Sequence, residues 1–199
     1  MQLEKVNELL QPGYLPLETG YYRLPNGQMY VAALTRMPGC KGKMVEWFFS
    51  TYLKDTETYK TWDPKAHLFF EWDEKWKPGH YIGASHYGEE YLAGEVLKFR
   101  VKFDDPAQFF DTSRFKEASV GAVICGEGFL PDGTPDGRVI HFVRDTDFGC
   151  EVRSRFWIYK GTEEIGRGHM EHCLSEMGYL ADMLPGIYAK GHSGRSIDY

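Results

Sequence analysis

The chain has 199 residues, enough for one domain with a substantial core. Acidic side chains outnumber basic ones by 29 to 23, a net charge of −6 with no long basic run, which argues against nucleic acid as a partner. No stretch approaches the ~20 apolar residues that a membrane span needs, and the start, MQLEKVNELLQPG, has no signal-peptide core. A cytoplasmic protein with no membrane partner is therefore expected.

Residues 1–25 read as a short helix followed by an arm punctuated by Pro and Gly. Gln28 to Met37, after the Asn26-Gly27 turn, is a strand-like apolar run. Lys43 to Leu53 places Met44, Val45, Phe48, Phe49 and Tyr52 at helical spacing. A second short turn follows, capped by Asp55 or Thr56 and stopped by Asp63-Pro64. The middle of the chain reads as β. His80 to Ser85 is one expected strand, and Glu95 to Phe103 alternates as a half-buried strand should. Ser119 to Cys125 is another, and Arg138 to Val143 with Cys150 to Tyr159 form a hairpin around Asp145 to Gly149.

Glu163 to Lys190 is the longest helical pattern, with Met170, Cys173, Leu174, Met177, Leu180 and Leu184 on one side. Antiparallel strands closed by one long helix make an α+β fold. A curved sheet around that helix leaves a cavity between them, the helix-grip arrangement of START and Bet v 1-like proteins. The aromatic share, 16%, suits either the lining of such a cavity or an ordinary core. The four cysteines, Cys40, Cys125, Cys150 and Cys173, are scattered with no CxxC, so they read as reduced and mostly buried.

Chemistry concentrates at a few positions. His172 and Glu176 stand four apart at the edge of the apolar stripe, so both side chains share one helix face and can grip one divalent ion. Such pairs are common on helices, and the pair alone proves little. His67 and the doublet Glu89-Glu90 lie in polar breaks between apolar segments and offer the missing ligands of a His2Glu2 metal site. On a strand the two glutamates face opposite ways. Glu90 is favoured as the inward one, although alternation serves Glu89 equally, and His86 competes from the same segment. The hairpin places Glu151, Arg153, Arg155 and Trp157 on one face, which suggests a structural ion-pair network.

Four segments, TETYKTWDPKAH (56–67), GHYIGASHYGEEYLAG (79–94), HFVRDTDFGCEVRSRFW (141–157) and HCLSEMGYLADMLPGIYA (172–189), resemble the 2,4-diacetylphloroglucinol hydrolase family, which includes phloretin hydrolase. The matches keep the family's order across about residues 44–190. The resemblance implies a Bet v 1-like helix-grip domain and metal-dependent hydrolysis of the carbon–carbon bond joining an acyl group to a polyphenol ring. It implies a zinc ion on His67, Glu90, His172 and Glu176, and a contact of Tyr59 with phenolic hydroxyls. Glu90 is then the expected general base. Asp63 stands where the family usually has a histidine, Ala93-Gly94 where it often has Gly-Gly, and the stretch from His67 to Glu90 is shortened. The longer N-terminal region linked to dimerisation in the family is mostly absent, which leaves a homodimer open.

The reading is thus a single catalytic domain over residues 1–199, with an arm at 1–40, a helix-grip core at 41–190 and a tail at 191–199, acting on a small aromatic ketone. Two alternatives stand beside it. One is a non-catalytic helix-grip protein that binds a hydrophobic ligand. The other is a metal enzyme of the same scaffold with different chemistry.

Overall fold

The computed structural model describes residues 1–92 and 94–193. Eight strands form one antiparallel sheet: β1 (Gly20–Arg23), β2 (Met29–Pro38), β3 (His67–Trp72), β4 (Ser85–Leu92), β5 (Glu95–Asp104), β6 (Val120–Phe129), β7 (Pro135–Thr146) and β8 (Gly149–Ile158). Their spatial order is β1-β2-β8-β7-β6-β5-β4-β3. The chain therefore leaves β2, crosses to the far edge, and returns as a six-strand meander that closes on β2.

The crossing is made by two short helices. The first, α1 (Gly42–Trp47), runs straight into a wider π turn at Phe48–Tyr52. The second, α2 (Thr56–Trp62), is capped by Asp55, whose carboxylate accepts from the Thr58 amide. The long C-terminal helix α3 (Glu163–Gly191) starts at a Thr162 cap and lies against the concave face of the sheet. Cys173, Met177, Leu180 and Leu184 of α3 join Phe48, Ile124 and Val152 in the main core. All four cysteines are buried thiols, as expected.

The convex face is covered as well. The stretch expected as an arm, residues 1–40, supplies β1, β2 and a 3-10 helix at Leu3–Leu10. From that helix Val6, Leu9 and Leu10 pack on Ile140, Phe142 and Trp157. Beneath it lie Arg153 and Arg155, both essentially inaccessible to solvent. Glu18 bonds both guanidinium groups, at 2.5 Å for Arg153 Nη2. This is the network expected of the hairpin, and it serves to seat the N-terminal segment on the back of the sheet. Of the tail, residues 194–199 lie outside the described residues, as does Ala93.

One strand is displaced from its expected place. Residues 80–84 form no strand, because Gly79 and Gly83 both adopt positive φ and turn the chain there. The strand begins at Ser85 instead, so Glu89 and Glu90 sit inside β4 and not in a break. His67, also expected in a break, is the first residue of β3. No helix among the described residues is long and apolar enough to cross a membrane.

Candidate metal centre

Three local devices bring the site together. The first is the turn after α2. Asp63 is buried, its carboxylate accepts from the Lys65 and Ala66 amides, and its carbonyl accepts from the His67 amide. The turn thereby delivers His67 to the head of β3. The second is a β-bulge. His67 pairs with Glu90 and Phe69 with Glu89, so Leu68 is one residue too many on β3. Simple alternation would turn His67 away from Phe70 and Trp72, but the extra residue lets all three face inward. The third is helical spacing: α3 carries His172 and Glu176 one turn apart toward the same space.

The four side chains converge. His67 Nε2 stands 3.7 Å from Glu90 Oε1 and 3.5 Å from Glu176 Oε2. His172 Nε2 stands 3.2 Å from Glu90 Oε2 and 3.8 Å from Glu176 Oε2. Among the described residues neither imidazole Nε2 has a hydrogen-bond partner, although both are shut off from solvent. Glu89 points the other way and pairs with Lys98 at 2.8 Å on the convex face. Of the doublet, Glu90 is the member that faces the two imidazoles. His86 shares the inward face but is enclosed by Phe70, Trp72, Phe99 and Phe103. Burial, and then the nearby His67, push its pKa down to about 3.

The arrangement fits a divalent transition metal. Four ligands held tetrahedrally at ~2.1 Å from a zinc-sized ion stand ~3.4 Å apart, close to the separations above. His67, His172 and Glu176 can each offer one donor atom within 4.8 Å of the others, and Glu90 turns one oxygen to each imidazole. The neighbours support the same use. His67 Nδ1 lies 3.0 Å from the Tyr59 carbonyl, which can only accept, so that nitrogen carries a proton and the neutral form of the ring offers Nε2 as the ligand atom. The Tyr59 ring stacks on His67 with centroids 3.8 Å apart, and its hydroxyl donates to Glu90. Trp62 Nε1 donates to the Glu176 carbonyl at 2.7 Å and ties α2 to α3. For His172, burial lowers the pKa, but the Glu176 and Glu90 carboxylates outweigh it and the result is about 9. Without a cation the pocket keeps a proton there, whereas a metal would supply that charge instead.

Beside these groups a cavity of about 230 Å³ opens between sheet and helix, with Glu90, His172 and Glu176 in its wall. Phe49, Phe99, Phe103 and Phe156 contribute aromatic rings to its wall beside aliphatic side chains such as Leu97 and Ile158. Besides His172 and His86 it is lined by His141 and His169, which periodicity did not single out. His169 carried a usable signal, since it precedes His172 by three on the same helix face.

An eight-stranded curved sheet gripping a long C-terminal helix, with a cavity and a cluster of metal-ligand side chains between them, defines a Bet v 1-like helix-grip protein with a candidate metal centre. Solved structures show the same fold: Ara h 8.0201 at TM-score 0.55 and 11% identity, over 80% of this chain and 99% of that one. The major latex-like protein 151 of Panax ginseng is similar at TM-score 0.51 and 11% identity, over 78% and 96%. The chain belongs to the DAPG hydrolase PhiG domain family, whose model matches residues 1–165. That match takes in Tyr59, His67 and Glu90 and ends before His172. A 2,4-diacetylphloroglucinol hydrolase of Pseudomonas protegens is 24% identical, over 94% of this chain and 72% of its own length. So wide an alignment leaves out too few residues to exclude α3. The phloretin hydrolase of Eubacterium ramulus is 26% identical, over 86% of this chain and 71% of its own.

Proposed function

We propose that the chain is a single-domain hydrolase that cleaves the carbon–carbon bond between an acyl group and a polyphenol ring. In this reading His67, Glu90, His172 and Glu176 hold a zinc ion, and Glu90 and Tyr59 act on the substrate. The observation that carries it is the meeting of two imidazoles and two carboxylates at one end of an aromatic cavity. A carrier of greasy ligands has no use for two carboxylates drawn out of water. Relatives named for hydrolysis of 2,4-diacetylphloroglucinol and phloretin support the substrate class.

An ion held by these four residues would supply a Lewis acid for a carbonyl or water oxygen. The protein's residues do the rest. The aromatic walls hold the flat ring and keep bulk water out. Glu90 takes a proton from the attacking water as its oxygen bonds to the acyl carbon. The ring carbon departs with the electron pair of the broken bond and receives a proton. Tyr59, whose hydroxyl donates to Glu90, is assigned to pass that proton on. One ketone and one water thus yield one carboxylic acid and the deacylated ring, a retro-Claisen cleavage.

The test is metal analysis of the purified protein, followed by mass-spectrometric product analysis with monoacetylphloroglucinol, phloretin and a β-diketone. About one zinc per chain and release of the acid are expected. Zinc-loaded protein that leaves all three ketones intact would overturn the proposal.

A further inference from the structure

We propose that His169 reads a hydroxyl group of the substrate ring: its Nε2 accepts a hydrogen bond from a phenolic O–H held in the cavity. The inference rests on the polyphenol reading above and names a residue that sets specificity within it.

Position comes first. His169 stands one turn before His172 on α3 and lines the same cavity. A ring hydroxyl can therefore reach it while the acyl group lies toward the ligand cluster. The proton count comes second. His169 Nδ1 is 3.1 Å from the Ile165 carbonyl, an oxygen that only accepts, so Nδ1 carries the hydrogen. In the neutral ring Nε2 is then an acceptor, directed away from the helix backbone. Burial holds the imidazole pKa below its ordinary value, which keeps the ring neutral.

The surroundings come third. Among the described residues nothing donates to Nε2, and no carboxylate pairs with this histidine as Glu90 and Glu176 do with His67 and His172. Phe156 packs against the ring at 5.8 Å, and Val139 and Ile158 line the cavity beside it, with the charged Asp136 and Arg138 further along the same wall. Water can satisfy this acceptor while the cavity is empty, so the cost falls on an occupant that displaces the water without donating in its place. A flat ring bearing hydroxyls can donate. A ring whose oxygens are all methylated cannot.

The probe is phloroglucinol, the deacylated ring, with 1,3,5-trimethoxybenzene as a control that lacks donors. Titration calorimetry should show phloroglucinol binding weakened roughly tenfold in His169→Phe. It should recover in His169→Gln, whose side-chain oxygen can accept. Trimethoxybenzene should not distinguish the variants, and zinc content should stay at the wild-type level. In wild-type protein carrying 15N-labelled histidine, the Nε2 resonance that His169→Phe removes should move on phloroglucinol binding. That measurement does not depend on how well a variant folds. With acylphloroglucinol as substrate, KM should rise roughly tenfold in His169→Phe. Equal phloroglucinol affinity in wild type and His169→Phe, an unmoved Nε2 resonance, or a wild-type protein that binds no phloroglucinol would each overturn the inference. Wild type that binds phloroglucinol through His169 yet hydrolyses no acylphloroglucinol would uphold it while refuting the proposed reaction.

Discussion

Replacing Tyr59 by Phe removes one oxygen and leaves the ring, which makes it a clean probe of how the candidate centre is supported. The ring is buried, stacks on His67 and packs on Phe70, and all of this survives the change. What is lost is the hydroxyl that donates to Glu90. A hydrogen bond to a charged group contributes about 1.5–3 kcal/mol, which corresponds to roughly 10- to 150-fold in an equilibrium. Loss of a group that orients a metal ligand costs about 10- to 100-fold in metal affinity or activity. The two routes agree, so zinc should bind 10- to 100-fold, in rough terms, less tightly in Tyr59→Phe. Turnover at saturating zinc should fall as well, because the same hydroxyl is assigned to the reacting ring. Competition against a chromophoric chelator measures the first quantity and steady-state hydrolysis of monoacetylphloroglucinol the second. Tyr59→Phe protein with wild-type zinc affinity and wild-type turnover would refute both the supporting role and the link from Tyr59 to Glu90. A drop in turnover alone would confine Tyr59 to the substrate.

Four further outcomes are expected. His172→Ala and Glu176→Ala should each lose the metal and the activity while circular dichroism stays native, since both side chains face the cavity; full metal content in either would remove that residue from the ligand set. Glu90→Gln should abolish turnover, whereas Glu89→Gln, which breaks only an exposed pair with Lys98, should leave kcat and zinc content unchanged. Glu18→Ala leaves two buried guanidinium groups without their carboxylate, which should cost about 3–5 kcal/mol and lower Tm by roughly 6–20 °C; scanning calorimetry showing less than ~2 °C would mean the pair is expendable. Burial opposes ionisation of Glu18, but Arg153 and Arg155 outweigh it and hold its pKa below 4.5, so its contribution is whole above that pH and fades as pH falls further. An acid titration of stability should show that loss in wild type and lack it in Glu18→Ala.

The fold was legible where one period dominates. The apolar stripe of α3 and the alternation of β5 each run long enough to identify the element, and the helix-grip arrangement follows from their order. His172 and Glu176 were legible because helical spacing alone puts them together. His67 and Glu90 were less so. Both were expected in breaks, and both lie on paired strands, because two glycines moved the start of β4 and the bulge at Leu68 shifted the phase of β3. Neither effect leaves a periodic trace. The resemblance to the hydrolase family named both residues where alternation could not choose between Glu89 and Glu90. The turn made by buried Asp63 is equally silent, since an Asp before a Pro reads as a helix stop and nothing more. His169 went unremarked because a histidine beside an apolar stripe looks like core until the cavity next to it is seen.

The meander that closes on β2 also sets the order in which a growing chain can become competent. β2 emerges early, but apart from β1 its partner is β8, which is synthesised more than a hundred residues later. During that interval one long edge of β2 stands open, and Arg153 and Arg155, which seat the N-terminal segment, have yet to leave the ribosome. His67 and Glu90 can meet as soon as β3 and β4 pair, but α3 arrives last of all and brings the other two candidate ligands. Contacts so distant in sequence form slowly because loop closure precedes any return from them. Nascent chains are therefore exposed to aggregation along β2 for most of translation, and the four candidate ligands can come together only in its final stage.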